Sequence, residues 1–128
     1  MRRLFALAAM VALGACATVQ PGGPQRFVVF FQEFSAQLDD AAKGAISASA
    51  VWAKDHPNAP VTVIGFAAPN GSPQSNIEIS RLRAQVVTDT LVADGVDPAR
   101  IQRKARGATD FSMNGLESRR VEISLDAP

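Results

Sequence analysis

Three side chains in this 128-residue chain have types and settings that could do chemistry: Cys16, His56 and Arg83. Cys16 is the only cysteine. It has no partner for an internal disulfide, and an unpaired exposed thiol is a liability in an oxidising compartment unless something consumes it. His56 is the only histidine and lies in Lys54-Asp55-His56-Pro57, at the end of a helical pattern. It reads most simply as a solvated C-terminal residue interacting with the helix dipole. Arg83 lies in Ser80-Arg81-Leu82-Arg83-Ala84. At 3.6 residues per turn, Ile79, Arg83 and Val87 stack on one side, while Ala84, Val87 and Leu91 form the apolar stripe. A guanidinium at the border of a packing face needs a partner, and its rigid fork suits a carboxylate. Two readings stay open: an arginine that binds a ligand near a loop–helix junction, or one that snorkels or pairs with Glu78 or another acid. No Ser/His/Asp set is apparent, no cluster has metal-ligand spacing, and there is no tyrosine. Neither an enzyme, nor a metal site, nor a cofactor is expected.

The elements that must hold Arg83 follow from periodicity. Phe27-Val28-Val29-Phe30-Phe31 is a β-branched and aromatic run, read as a strand buried on both faces. From about Asp39 to Lys54 the chain is Ala-rich, with Ala42, Ile46, Ala50 and Val51 at helical spacing, Asp39 or Asp40 as N-cap and Pro57 closing it. Val61-Thr62-Val63-Ile64-Gly65 is a second strand, and Pro69-Asn70-Gly71-Ser72-Pro73 is a loop by composition. A second helix is predicted from about Ser75 to Ala93, ending at Gly95, with Pro98 beyond. Ile101–Ala105 and Arg120–Leu125 read as two more strands. The order β-α-β-α-β-β implies an α+β fold: a mixed four-stranded sheet with two main helices on one face.

The front of the chain is of another kind. Arg2 and Arg3 precede an apolar run from Leu4 to Ala12, followed by Leu13-Gly14-Ala15-Cys16. A positive start, a short apolar run and small residues before a cut describe a secretory signal. The run is shorter than the roughly 20 residues of a membrane-spanning helix. Leu13-Gly14-Ala15-Cys16 resembles the bacterial lipobox, in which the thiol is acylated and the cysteine becomes the first mature residue. The alternative is a plain signal peptide that contains a cysteine. The expected organisation is a leader over 1–15, a lipidated Cys16 with a Pro/Gly tether over 16–26, and a domain over 27–128. Removing residues 1–15 leaves 113 of the 128, enough for one domain with a modest core. It also removes two arginines and no acid, turning a formal charge of +1 into −1. Such a balance, with the basic residues scattered, excludes a nucleic-acid binder. Ala17 follows the cysteine, and the absence of an aspartate there favours, by resemblance, the periplasmic face of the outer membrane.

Residues from about 28 to 125 resemble the OmpA C-terminal-like domain, the peptidoglycan-associating module of outer-membrane proteins. Val29-Phe30-Phe31 and Phe34-Ser35-Ala36-Gln37-Leu38 resemble its first strand and the approach to its first helix. Val61–Gly65 resembles the strand before its binding loop. Asn76, then Ile79-Ser80-Arg81-Leu82-Arg83-Ala84 and Val87, resemble the NxxLSxxRAxxV signature. Gly95-Val96 follows at the family's distance, and Ser118-Arg119-Arg120-Val121-Glu122-Ile123 resembles the final NRRVEI strand. The resemblance implies that the ligand is the stem peptide of peptidoglycan, anchored by diaminopimelate. A loop aspartate takes its ammonium and the signature arginine its carboxylate. Arg83 and Asn76 match the family's Arg and Asn. The family's Gly-His-Thr-Asp stretch reads Gly65-Phe66-Ala67-Ala68, so Ala68 replaces the aspartate. No acid lies between Gly65 and Ser75, and Asn70 offers only a neutral carbonyl. Ser75 stands where the family often has an aromatic, Ser118 replaces an asparagine, and the loop before it is shortened. The implied function is a lipoprotein that holds peptidoglycan weakly through Arg83, Asn76 and Asn70. The alternative is a module that keeps the fold and binds another envelope protein.

Overall fold

A computed structural model of the chain describes residues 25–109 and 115–125. The leader and Cys16 lie outside these residues, as does the loop expected to be shortened, over 110–114. The order is β1 (Gln25–Phe30), α1 (Asp40–Asp55), β2 (Val61–Ala67), α2 (Pro73–Ala93), a 3-10 turn (Pro98–Arg100), β3 (Ile101–Ala108), a one-turn α3 (Gly115–Ser118) and β4 (Arg120–Leu125). The strands form one sheet in the order β1-β4-β2-β3. β4 runs antiparallel to both β1 and β2, whereas β2 and β3 are parallel, so the sheet is mixed as expected.

One face of the sheet is covered. Val61 and Val63 of β2 and Val121, Ile123 and Leu125 of β4 pack against Ala42, Ile46, Ala50 and Ala53 of α1 and Ala84, Val87 and Leu91 of α2. Alternation along β2 and β4 follows from the two-residue period of a strand with only one side buried. The first strand is correspondingly not buried on both faces. Val29 is buried, but Phe30 is 42% exposed, because β1 is an edge strand with helices on one side only. Val51 is also exposed, turned away from the sheet while Ala50 faces it.

Caps set the helix ends. Asp39 accepts from the Ala42 amide at 2.7 Å, fixing the start of α1. Ser72 does the same for Ser75, and Pro73 occupies the first turn, so α2 begins two residues before its predicted start. At its other end Gly95 adopts φ 104°. Its amide donates to Val92 O and that of Val96 to Leu91 O, a Schellman closure available to a residue without Cβ. His56 caps the end of α1 and meets its last-turn carbonyls as expected, but it is half-buried rather than solvated. Its ring stacks on Trp52 at 3.8 Å, and Nδ1 donates to Trp52 O at 2.9 Å.

β2 and β3 both run longer than predicted. The alternation continues through Phe66 and Ala67, and β3 keeps pairing until Ala67 meets Ala108 across a register shift. The short 3-10 turn and α3 carry no periodicity that a sequence pattern could reveal. Among the described residues no helix is long and apolar enough to cross a membrane.

Candidate functional site

Gly65 brings α2 down onto the sheet. A Cβ on Gly65 would stand 2.0 Å from the Ser80 carbonyl oxygen and 3.2 Å from the Ala84 Cβ, so only glycine permits this approach. Ser80 fastens the same turn to β3: its hydroxyl donates to Ile77 O at 2.9 Å and accepts from the Gly107 amide at 3.1 Å. Gly107, at φ 69°, adopts a conformation that favours glycine and packs closely against the Ile77 side chain. These two close approaches place the next residues of α2 at the carboxyl end of β2, beside the loops after β1 and β2.

Arg83 enters the protein there and is 1% exposed. It neither snorkels nor pairs with Glu78, which is bound to Arg81 at 2.7 Å. Its Nε donates to Ser35 O at 2.8 Å, Nη1 to Phe66 O at 3.2 Å and Nη2 to Gln32 O at 3.2 Å. The guanidinium also lies 5.4 Å from the Phe31 ring centroid. Three of its five N–H groups are thereby used, leaving one on each terminal nitrogen. Among the described residues no carboxylate reaches it within ion-pair distance. Burial, and secondarily the Arg119 charge, lower its pKa to about 10. The fold therefore holds a buried cation by carbonyl dipoles and the face of Phe31, with two donors to spare. Such a group favours an incoming anion.

A small cleft of about 30 Å³ opens beside it, floored by Ala67, Ala68, Ile79 and Arg83. Asn70 and Asn76 line it from the loop after β2 and the start of α2. Asn76 is nearly buried, and with its amide nitrogen turned toward the loop it donates to Ala68 O at 3.2 Å and Asn70 O at 2.9 Å. It thus shapes the loop, while Asn70 is exposed at the rim. The structure brings Arg83, Asn76, Asn70 and Ala68 to one cleft; Cys16 lies outside the described residues.

Three further residues line the cleft without having been singled out: Glu33, Phe34 and Arg119. Arg119 Nε donates to Phe31 O at 3.0 Å, and the Phe31 amide donates back to Arg119 O at 2.8 Å. Its place beside the final strand offered the one available signal. Glu33 and Phe34 form a turn in which Phe34 is 80% exposed with φ 53°, a conformation unfavourable for a residue with a Cβ. Neither could be placed from the sequence, because β1 lies far along the chain from Arg83. Among the described residues no group of three or more His, Cys, Asp or Glu side chains could hold a metal ion.

The architecture and cleft define an α+β module in which a buried arginine of α2 lines a cleft at the carboxyl end of β2. A model of the OmpA family matches residues 30–120, and the chain belongs to that family. The probable lipoprotein YiaD of Escherichia coli (strain K12) is 33% identical over 103 residues, covering 76% of this chain and 47% of that protein. The peptidoglycan-associated lipoprotein of Agrobacterium fabrum (strain C58) is 28% identical over 103 residues, covering 76% of this chain and 58% of its own length. The chain thus spans about half the length of these curated relatives. Among solved structures, the OmpA-like domain of FopA1 from Francisella tularensis subsp. tularensis SCHU S4 is similar at a TM-score of 0.74. It is 28% identical, with 82% of this chain and 73% of that one covered.

Proposed function

We propose that this chain is a lipoprotein whose domain associates non-covalently and weakly with peptidoglycan. Arg83 receives a carboxylate of the diaminopimelate in the stem peptide, and Asn76 and Asn70 shape and rim the cleft. Cys16 carries the lipid, palmitate or a similar acyl chain, and holds the protein in the outer membrane facing the periplasm. The role is binding rather than catalysis. The observation that carries the reading is the buried Arg83, which keeps two N–H donors beside a cleft and has no acidic partner among the described residues. The family, and relatives whose names include a peptidoglycan-associated lipoprotein, support it.

Weak association follows from Ala68. A charge-assisted hydrogen bond contributes about 1.5–3 kcal/mol, so its absence lowers affinity by about tenfold to a hundredfold. The same substitution favours the second reading, a module that has kept the fold and binds another envelope protein. Displacement separates the two. The full chain in detergent, pelleted with purified peptidoglycan, is released by free diaminopimelate-containing stem peptide under the first reading. A pellet unaffected by the peptide, or none at all, leaves the second.

A further inference from the structure

We infer that Glu33 supplies the negative charge that the loop after β2 has lost, and so sets the site's preference for a ligand bearing an ammonium beside its carboxylate. This rests on the reading of the Arg83 cleft as a stem-peptide site and names the group that reads the ligand's other end.

Two positions alone decide the case. In sequence, no acid stands near Ala68. In space, Glu33 lines the same cleft from the opposite loop, 35 residues earlier in the chain. Its carboxylate is exposed and makes no hydrogen bond or ion pair with any described residue, unlike Glu78 and Glu122, which are paired with Arg81 and Arg120. The cleft is small, about 30 Å³, which leaves room for no more than one head group beside Arg83. With the buried end occupied by a carboxylate on Arg83, the ligand's ammonium must lie at the rim, where Glu33 stands.

The turn that presents Glu33 is built by the arginine itself. Arg83 donates to Gln32 O and to Ser35 O, the carbonyls on either side of Glu33-Phe34. The Ser35 amide closes the same turn on Gln32 O at 3.2 Å. These bonds hold Phe34 at its unfavourable positive φ and fix Glu33 over the cleft, so one guanidinium both receives the anion and positions the opposite charge. The two opposite charges line one cleft, as recognition of a zwitterion requires.

The test compares two synthetic stem peptides on the full chain in detergent. One ends in diaminopimelate; the other ends in aminopimelate, which keeps the distal carboxylate and has hydrogen in place of the distal ammonium. The unsubstituted chain binds the first more tightly, by about twofold to fivefold, as expected of an exposed ion pair. Glu33→Gln erases that preference while its affinity for the aminopimelate peptide stays unchanged, which also shows that the variant is folded. Glu33→Asp keeps part of the preference, and Glu78→Gln, on a surface acid outside the cleft, keeps all of it. A preference that survives Glu33→Gln, or that the unsubstituted chain lacks, overturns the role of Glu33 and leaves the Arg83 site standing. If the unsubstituted chain binds neither peptide, the stem-peptide reading and this inference fall together.

Discussion

Arg83 is expensive to hold. Burying a cation without a counter-charge costs several kcal/mol before its hydrogen bonds are counted, and here the compensation comes only from three carbonyls and the face of Phe31. The cost has a pH signature. Burial and Arg119 bring the pKa down from the ordinary guanidinium range to about 10, so the folded state releases this proton before the unfolded state does. As pH rises through that window the penalty fades, and the contribution of Arg83 to folding stability increases. Carboxylate binding has the opposite dependence, since it needs the proton. Affinity for the aminopimelate stem peptide, which has no distal ammonium to titrate, should be level from neutral pH to about pH 9 and fall as pH passes about 10. Calorimetric titration across that range checks it, and a loss of affinity between about pH 6 and 8 would point to another group as the anchor.

At the scale of elements, the site depends on how closely α2 approaches β2. Gly65→Ala places a methyl 2.0 Å from the Ser80 carbonyl oxygen, and because that atom is backbone, the helix has to move. Overpacking of this kind costs about 1–3 kcal/mol or more. The expected result is a lower melting temperature together with weaker binding in protein that is still folded, because Arg83 moves with its helix. Gly44→Ala is the matched control. Its added methyl meets nothing within 4 Å and lies inside α1, so it should stabilise by about 0.5–1 kcal/mol and leave binding unchanged. Thermal melts of both variants, read with binding, test the argument. These elements were largely legible in the sequence. β4 was read at its observed bounds because its alternation is regular, and α1 to within a residue at each end because an aspartate caps an Ala-rich run. Phe27–Phe31 misled because an apolar run does not reveal whether one or both faces are covered, and β1 proved to be an edge strand.

For the whole molecule, the cleft joins segments that the sequence keeps apart. Arg83 and Asn76 were legible as a helix motif, and the loss represented by Ala68 was visible too. Glu33 and Phe34 were not, since only tertiary packing sets the β1–α1 turn against α2. The fate of Arg83 was legible only in part: the spacing put it at the border of the face that packs on the sheet, while two of the carbonyls that receive it come from the β1–α1 turn and the third from β2. Anchoring belongs to this scale as well. Under the proposal, the lipid on Cys16 and the cleft at Arg83 are two separate holds on the envelope. Cys16→Ser should move the protein from the membrane to the soluble fraction on cell fractionation; continued membrane retention would argue against lipidation.

The central claim is that Arg83 is an anion anchor for peptidoglycan in a site weakened at Ala68, and sedimentation with purified peptidoglycan tests it most directly. The full chain should pellet in detergent, Arg83→Ala should stay in the supernatant, and Ala68→Asp should pellet at about tenfold lower peptidoglycan concentration. If Arg83→Ala pellets as the unsubstituted chain does, or if only Ala68→Asp pellets, the claim is contradicted and the cleft is a retained feature of the fold rather than a working site.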